Sequence, residues 1–400
     1  MTAAEHWQVK RVAHPDAPGL ADLVDDDAAF RRDLVFRRPL HHKTGAPERF
    51  ADVDRLWDDL LTRGTRQPAF RLVRAGDTTA RGGLTRRLGL GSRRLDDVID
   101  ANRVIDRYRR GDTVVLQGLQ HTNPQLARLA NNLALAVDHP IQINAYLSPP
   151  AERGLDLHFD FHDVFVVQIG GAKRWRVWEP VERTVNPVRG HRIAPLDPAE
   201  LGPPALELTL RAGDVLYLPR GYPHTAETVD ERSDHLTIGL MVVTWQRVLA
   251  KALDAEAAAG HFTGSVPVLG LDPAVPEPAI PDPSRLALRS GPVLRHWLAR
   301  EVWRRQPATR LRPRVVPELT DGGLEIPPGP LLWLTRLGDR AVLGLGERIL
   351  DLPAPALPLL AAVLGSPAPF LAADLPNPGG NSRDVVLTRL LAEGVLVHAR

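Results

Sequence analysis

Residues 157–178 read LHFDFHDVFVVQIGGAKRWRVW, and this stretch decides the fold. Val164 to Ile169 and Lys173 to Trp178 are rich in β-branched and aromatic residues, which are typical of strands. The Gly170–Gly171 pair between them suits the positive φ angles of a tight turn. The stretch therefore predicts a β-hairpin with a two-residue turn.

A candidate metal-binding pair precedes this hairpin. His158 and Asp160 are separated by one residue, so on a strand their side chains point to the same side and can bind one ion. A two-residue turn places Gln168 opposite Lys173, unless a bulge between Asp160 and Gln168 changes the register. The residues predicted on the side of the pair are then Gln168, Lys173, Trp175 and Val177.

The composition indicates a globular protein with room for more than one domain. The chain has 400 residues, of which 44% are hydrophobic and 24% are charged. It contains no apolar run long enough to cross a bilayer and no signal-peptide pattern, so a cytoplasmic location is expected. The net charge of +2 with mixed acidic and basic residues predicts no clear nucleic-acid site. The absence of cysteine restricts any metal to imidazole and carboxylate ligands, which favours iron or manganese.

Other short strands follow closely spaced turns. Ile141 to Leu147 alternates so that Gln142, Asn144 and Tyr146 share one polar face, which is unusual unless the face looks into a site. Val215 to Leu218 follows a Gly-Asp turn, and His235 to Val243 supplies a further strand. Many short strands of this kind predict a jelly roll or barrel that can hold a small ligand.

His224 is the best candidate for a third metal ligand. It begins a strand directly after the turn Pro219 to Pro223, which can direct its ring into a barrel. With His158 and Asp160 it completes a set of two histidines and one carboxylate, which leaves open positions on a metal for substrate and oxygen. His162 continues the same predicted face, but we interpret it as a rim residue rather than a replacement ligand.

The segments on either side of this region are interpreted more coarsely. Residues 1–30 read as a lead-in, 80–92 as an Arg/Gly-rich loop, and Leu95 to Tyr108 as a helix. Ser284 to Arg305 has a broad apolar helical face suited to another helix or subunit. From residue 310, short strands and two helices predict a winged-helix-like module without a concentrated basic recognition helix.

The chain from about Arg37 to Val243 resembles a known family, the JmjC-type cupin hydroxylases, and within them the ribosomal oxygenases. The likeness is specific in four segments: 144–147 (NAYL), 158–168 (HFDFHDVFVVQ), 173–176 (KRWR), and 213–224, with Gly213-Asp214, Pro219-Arg220-Gly221 and His224.

This resemblance implies a double-stranded β-helix with Fe(II) and 2-oxoglutarate as cofactors. The iron ligands of the family fall on His158, Asp160 and His224, and its basic residue for the distal carboxylate of 2-oxoglutarate falls on Lys173. Asn144 and Tyr146 match positions that line the pocket. The implied layout is a JmjC domain over 31–245, a helical dimerisation segment over 246–309 and a winged-helix-like domain over 310–400. The implied activity is hydroxylation of a protein side chain at a β-carbon, with a ribosomal protein as a candidate substrate and a homodimer as the assembly.

Three alternatives remain open from the sequence. Phe161 and His162 depart from the small or acidic residues usual after the HxD pair, which leaves the substrate undetermined. A peptide natural product or a small molecule could be hydroxylated instead; a polar rim favours a polar peptide loop over an apolar small molecule, but a hydroxylase of a peptide natural product would present much the same rim. That predicted rim consists of Asp163, Glu179, Arg189, His191 and Arg192. A non-redox cupin metalloenzyme and a non-catalytic binding module are the other two classes.

Overall fold

The computed structural model describes residues 7–74, 77–78, 83–150, 156–187, 196–258, 260, 297–302, 318–329, 331–346 and 348–399. The chain forms two compact units, Ala13–Val242 and the combination of Met1–Val12 with Val243–Arg400. The predicted boundary between residues 309 and 310 lies outside the described residues. Within the described parts, no helix has the length and apolar character needed to cross a membrane.

The described strands, numbered along the chain, are β1 Trp7–Lys10, β2 Leu40–Lys43, β3 Phe70–Arg74, β4 Asp77–Thr78, β5 Thr85–Leu90, β6 Arg93–Ile99, β7 Thr113–Leu116, β8 Ile141–Ser148, β9 Asp163–Val177, β10 Leu206–Arg211, β11 Asp214–Leu218, β12 His224–Leu240, β13 Leu324–Glu325, β14 Leu332–Leu337, β15 Arg340–Leu345, β16 Arg348–Pro353 and β17 Val397–His398. The α-helices are α1 Asp27–Ala29, α2 Val53–Thr62, α3 Ala101–Arg109, α4 Pro124–Val137, α5 Pro198–Leu201, α6 Trp245–Ala258, α7 Leu357–Gly365 and α8 Ser382–Ala392. Residues 297–302 are also helical.

Two long strands, β9 and β12, organise the unit Ala13–Val242. They pair with each other from end to end in a sheet of order β2-β11-β9-β12-β8-β7-β3-β4. The first half of β9 also pairs with β11, whereas its second half pairs with β10. The two halves of β9 therefore have different neighbours on the side away from β12. The predicted jelly roll is confirmed.

The predicted hairpin at Gly170–Gly171 is wrong. Residues Asp163–Val177 form one strand, and the chain does not reverse at the glycines. Gly171 has φ +61°, and a Cβ atom there would lie 1.8 Å from the carbonyl oxygen of Arg232 on the facing strand. The glycine pair therefore allows a close approach between β9 and β12, where the register shifts between Thr228 and Ser233 and again between Asp234 and His235. The two strands predicted around His224 and His235 are likewise one strand, β12.

The segment before the barrel differs from the sequence interpretation. Within the loop predicted at 80–92, residues 85–90 form a strand. It pairs with Arg93–Ile99 across Gly91, whose φ is +60°. The predicted helix therefore begins later, at Ala101, because the Asp100 side chain accepts a hydrogen bond from the Arg103 backbone and caps it. Residues 79–82 lie outside the described residues.

The second unit contains a sheet of order β1-β14-β15-β16. The strands from β14 onward and helices α7 and α8 agree with the elements that the sequence predicted for a winged-helix-like domain. Apolar side chains such as Leu343, Leu360 and Leu387 form the common core of these elements. Strand β1 was not predicted. It joins this sheet through pairing with β14, and Trp7 stacks on Trp333 with 5.3 Å between ring centroids. Of the predicted face Ser284 to Arg305, only 297–302 is described.

Replacing Gly171 by alanine should destabilise the protein. The new Cβ atom would clash with the Arg232 carbonyl oxygen, and alanine disfavours the positive φ angle of this position. We expect a loss of at least about 2 kcal/mol in the free energy of unfolding. Chemical denaturation followed by circular dichroism measures it. Gly45→Ala is the matched control, because nothing lies within 4 Å of a Cβ at that glycine. Equal midpoints for the two variants would show that the close approach at Gly171 is not needed.

Candidate active site

Backbone pairing brings the predicted metal ligands together. The His224 amide donates to the His158 carbonyl oxygen at 2.8 Å, and the His158 amide donates to the His224 carbonyl at 3.3 Å. The Gly221 amide donates to the Asp160 carbonyl at 2.9 Å. The turn before β12 is thus joined to the segment before β9. His158 and Asp160 precede the regular strand, and it is this pairing that positions them.

The side chains of His158, Asp160 and His224 converge on one point. Their candidate ligand atoms all lie within 4.8 Å of one another, and Nε2 of His224 is 4.0 Å from an Asp160 oxygen. Nδ1 of His158 donates to the Asp156 carbonyl at 2.7 Å, and Nδ1 of His224 donates to the Tyr222 carbonyl at 3.0 Å. Each ring therefore keeps the lone pair on Nε2, which is how metal-binding histidines are commonly oriented.

The electrostatics of His224 agree with this arrangement. Burial and, to a smaller extent, the neighbouring His158 lower the pKa of His224 to about 4, against the opposing effect of Asp160. The imidazole is therefore neutral at pH 7, as a metal ligand must be. Two imidazoles and one carboxylate match the donor set that non-haem iron uses.

The three ligating side chains open into a cavity of about 300 Å³ in the barrel. The residues that line it are Arg71, Val73, Thr113, Gln117, Gln142, Asn144, Tyr146, His158, Asp160, His162, Val164, Val166, Lys173, Trp175, His224, Ala226, His235 and Thr237. The structure thus brings the six predicted site residues and His162 to one cavity. Among the described residues, the grouping of metal-binding side chains contains His158, Asp160 and His224, and His162 is not part of it.

Lys173 is the buried cation of this cavity. It is 3% exposed, and its ammonium donates to the Ser148 hydroxyl at 3.3 Å. Thr113 donates to the same hydroxyl oxygen at 3.0 Å. Burial lowers the pKa of Lys173 to about 8, against the attraction of Asp234. The ammonium stays largely protonated at neutral pH, and a buried cation of this kind favours an anionic ligand.

The predicted orientation of Lys173 and Trp175 is correct, although the hairpin is wrong. The register shift between β9 and β12 near Gly170–Gly171 is a β-bulge. Val164 and Val166 line the cavity before this bulge, and Lys173 and Trp175 line it after the bulge. The bulge therefore moves the cavity face from even to odd positions, as the proposed turn would have done. Gln168, predicted on this face, does not line the cavity; it is buried and donates to the Ser233 hydroxyl at 2.9 Å. Val177 is likewise absent from the lining.

Asn144 and Tyr146 line the cavity from β8. The Asn144 amide oxygen accepts hydrogen bonds from the Gly118 backbone at 3.1 Å and from the Gln142 side chain at 3.4 Å. The Tyr146 ring stacks on His235, with centroids 5.0 Å apart and planes at 3°. Burial lowers the pKa of His235 well below its usual value, so this ring is neutral. Strand β8 thus presents fixed polar groups to the cavity.

Sequence reasoning missed Arg71 and misplaced Asp163. Arg71 lines the cavity from β3, and the alternating pattern Phe70-Arg71-Leu72, with buried flanking residues, is the signal that could have identified it. Asp163 was predicted at the rim, but it is buried, where it accepts hydrogen bonds from the Tyr217 hydroxyl and the Arg220 backbone. The predicted rim residues 189, 191 and 192 lie outside the described residues.

Known proteins resemble this chain in the region of the site. The JmjC domain family matches residues 116–248. The bifunctional lysine-specific demethylase and histidyl-hydroxylase NO66 of Drosophila persimilis is 34% identical over 132 residues, which is 33% of this chain and 19% of that protein. Ribosomal oxygenase 1 of Gallus gallus is 40% identical over 114 residues, or 28% of this chain and 19% of that protein. The chain thus spans about a fifth of the length of these curated relatives.

Solved structures resemble the chain over almost its full length. YcfD, a ribosomal oxygenase from Escherichia coli, superposes with a TM-score of 0.53 at 19% identity, over 95% of this chain and 99% of that chain. The same protein in complex with cobalt and 2-oxoglutarate gives a TM-score of 0.52 at 18% identity, over 93% and 98% of the two chains. Residues 116–248 are therefore a JmjC domain, carried by a chain that has the fold of the Escherichia coli ribosomal oxygenase.

Proposed function

We propose that this chain is an Fe(II)- and 2-oxoglutarate-dependent oxygenase that hydroxylates a protein side chain at a β-carbon, with a ribosomal protein as the substrate. The observation that carries the proposal is the convergence of His158, Asp160 and His224 beside the buried Lys173 in one cavity. The relatives named histidyl-hydroxylase and ribosomal oxygenase support the same reaction class and substrate class. A cytoplasmic location would suit a ribosomal substrate.

In this proposal, each site residue has a separate task. His158, Asp160 and His224 hold Fe(II), and their backbone contacts keep the two rings in place. Lys173 binds the distal carboxylate of 2-oxoglutarate by a charge-assisted hydrogen bond, in space lined by Tyr146 and Asn144. With iron and 2-oxoglutarate bound, O₂ supplies one oxygen to the substrate C–H bond and one to succinate, with release of CO₂.

The space next to the site suits a polypeptide. A second cavity, of about 750 Å³, is lined by residues such as Arg63, Arg66 and Leu119. Gln117 belongs to the linings of both cavities, and its side chain donates to the Pro68 carbonyl at 3.2 Å. A target side chain in the first cavity would thus have room nearby for the residues that flank it. This favours a protein substrate over a small molecule.

We also propose that the chain forms a homodimer. Helix α6 exposes an apolar stripe whose members are spaced four residues apart, with Trp245 77%, Leu249 40% and Leu253 46% exposed. A stripe of this spacing lies along one side of a helix and is suited to packing on another helix. Leu249 and Leu253 belong to the segment 246–309, which was expected from the sequence to mediate dimerisation, and a second copy of the same helix is the occupant that we propose.

Replacing Asp160 by alanine should abolish iron binding and substrate hydroxylation, because it removes the anionic ligand. Metal content measures the first effect, and intact-mass analysis of ribosomal proteins from cells with either form measures the second. The wild type should add one oxygen to one ribosomal protein, and tandem mass spectrometry should locate it on a β-carbon. Asp230→Ala, at an exposed carboxylate, is the control. Iron binding by the Asp160 variant equal to that of the control would refute the ligand assignment, and unchanged ribosomal masses would refute the substrate.

Replacing Lys173 by methionine should weaken 2-oxoglutarate binding while leaving iron binding intact. A charge-assisted hydrogen bond contributes about 1.5–3 kcal/mol, so the dissociation constant should rise by roughly 10- to 100-fold. Titration with 2-oxoglutarate measures it. Lys43→Met changes a lysine whose side chain is 79% exposed and serves as control. An unchanged dissociation constant in the Lys173 variant would remove this residue from the co-substrate site.

The joint substitution Leu249→Asp and Leu253→Asp should convert a dimer into a monomer, because it places charge on the apolar stripe of α6. Light scattering at micromolar concentration gives the mass in solution. Val385→Asp, on α8 at a residue that is 66% exposed, should leave the dimer intact. A monomeric wild type would contradict the proposed assembly.

A further inference from the structure

The Arg/Gly-rich segment of the sequence forms a separate hairpin. Strands β5 and β6 pair with each other in a two-stranded sheet of their own. Hydrogen bonds join this hairpin to the rest of the unit at its base, from the Gln67 amide to the Asp97 carbonyl and from the Ile99 amide to the Thr65 carbonyl. Among the described residues, 86–95 form hydrogen bonds only within the hairpin. This distal part is therefore available to a partner.

The distal part of the hairpin carries positive charge. Residues 83–95 contain no acidic residue and four arginines, all of them exposed: Arg86, Arg87, Arg93 and Arg94. At the base, an Asp96 oxygen lies 3.3 Å from Nε of Arg87 and 3.9 Å from Nε of Arg94, and these side chains are all more than half exposed. Among the described residues, Arg86 and Arg93 form no ion pair. With Asp96 and Asp97 counted, residues 85–99 keep a net charge of +2.

The total charge of the chain does not report this concentration of arginine. Residues 63–112, which include the hairpin, contain thirteen arginines and six aspartates, a net charge of +7, whereas the whole chain has +2. The rest of the chain is therefore acidic on balance. Such an asymmetry is typical of a protein that binds an anionic partner through one segment. The near-neutral total, from which the sequence predicts no clear nucleic-acid site, is the sum of two opposite parts.

The spacing of the arginines favours a repeating anion. Arg93 lies opposite Leu90, which is four residues beyond Arg86 on β5. A strand rises about 3.3 Å per residue, so these two arginine positions are roughly 13 Å apart, which suits successive charges of a polymer better than one small anion. Little apolar surface accompanies them, since Leu90 is exposed at 55% whereas Leu88 and Leu95 face each other in the pairing. A polyanion therefore fits the hairpin better than a lipid surface.

The base of the hairpin adjoins the second cavity. Thr65, Arg66 and Gln67 line that cavity, and Arg66 also pairs with Val98 of β6. A polymer held by the hairpin would thus run beside the space in which the proposed function places the polypeptide that carries the target side chain. The choice of RNA rests on that proposed function, because a ribosomal protein is bound to RNA. Arginine suits this partner, since a guanidinium binds phosphate through two parallel hydrogen bonds and stacks on bases.

We propose that the β5–β6 hairpin binds RNA through its four exposed arginines, beside the ribosomal protein that is hydroxylated. The arginines contact phosphate groups, so the affinity depends on charge and salt rather than on base sequence.

The test measures the affinity of the full-length protein for a fluorescein-labelled RNA duplex by fluorescence anisotropy, without iron or 2-oxoglutarate. The wild type should bind with a micromolar or lower dissociation constant at about 0.05 M salt, and its affinity should fall steeply as salt is added. The joint substitution Arg86→Gln and Arg93→Gln should weaken binding at least about tenfold and reduce the slope of log affinity against log salt by about 1.5. Circular dichroism checks that this variant is folded.

The joint substitution Arg211→Gln and Arg336→Gln is the matched control. It removes the same charge from two exposed arginines outside residues 63–112 and should leave the salt slope unchanged.

Several results would overturn the inference. These are no RNA binding by the wild type, equal affinities of the hairpin variant and the control, and tighter binding of a DNA duplex of the same sequence. Tighter binding of a polyglutamate peptide, or of vesicles of phosphatidylcholine and phosphatidylserine, would assign the hairpin to an acidic protein or to a membrane instead. Because RNA binding is measured without cofactors, RNA binding without hydroxylation would count against the proposed function alone. Hydroxylation of a ribosomal protein without RNA binding would count against this inference alone.

Discussion

The candidate site depends on the pair of backbone hydrogen bonds between His158 and His224. These bonds join two segments that are distant in the sequence, and each histidine ring is then held through Nδ1 by a nearby backbone carbonyl. The ligand set is therefore positioned by main-chain contacts rather than by contacts among the ligands themselves. The resulting geometry matches a metal that requires two imidazoles and one carboxylate.

The two long strands of the barrel connect this site to its buried lysine. Strands β9 and β12 pair along their whole length, and the bulge opposite Gly171 lets each strand bend and change its inward face. Val164 and Val166 face the cavity before the bend, and Lys173 and Trp175 face it afterwards. The same distortion thus directs the Lys173 ammonium into the cavity, where it donates to the Ser148 hydroxyl.

The cations of the cavity come from separate parts of the sheet. Lys173 lies on β9, whereas Arg71 lies on β3, with β12, β8 and β7 between these strands. One cation is fully buried, whereas the other is partly exposed. The cavity thus carries positive charge at two separate positions of its lining.

The sequence by itself determined which residues could form a metal site, since the pattern of histidine and aspartate on strand-forming segments is local. The structure brings His158, Asp160 and His224 within ligand distance of one another. It also determined most strands, because β-branched and aromatic residues with turns between them report strand preference directly. Only the tertiary structure decided that Gly170–Gly171 continues strand β9 beside a bulge, that residues 7–10 join the sheet of the second unit, and that Arg71 lines the cavity. The reason is physical: two glycines permit either a reversal or a close strand approach, and the partner strand, supplied from far along the chain, selects between them.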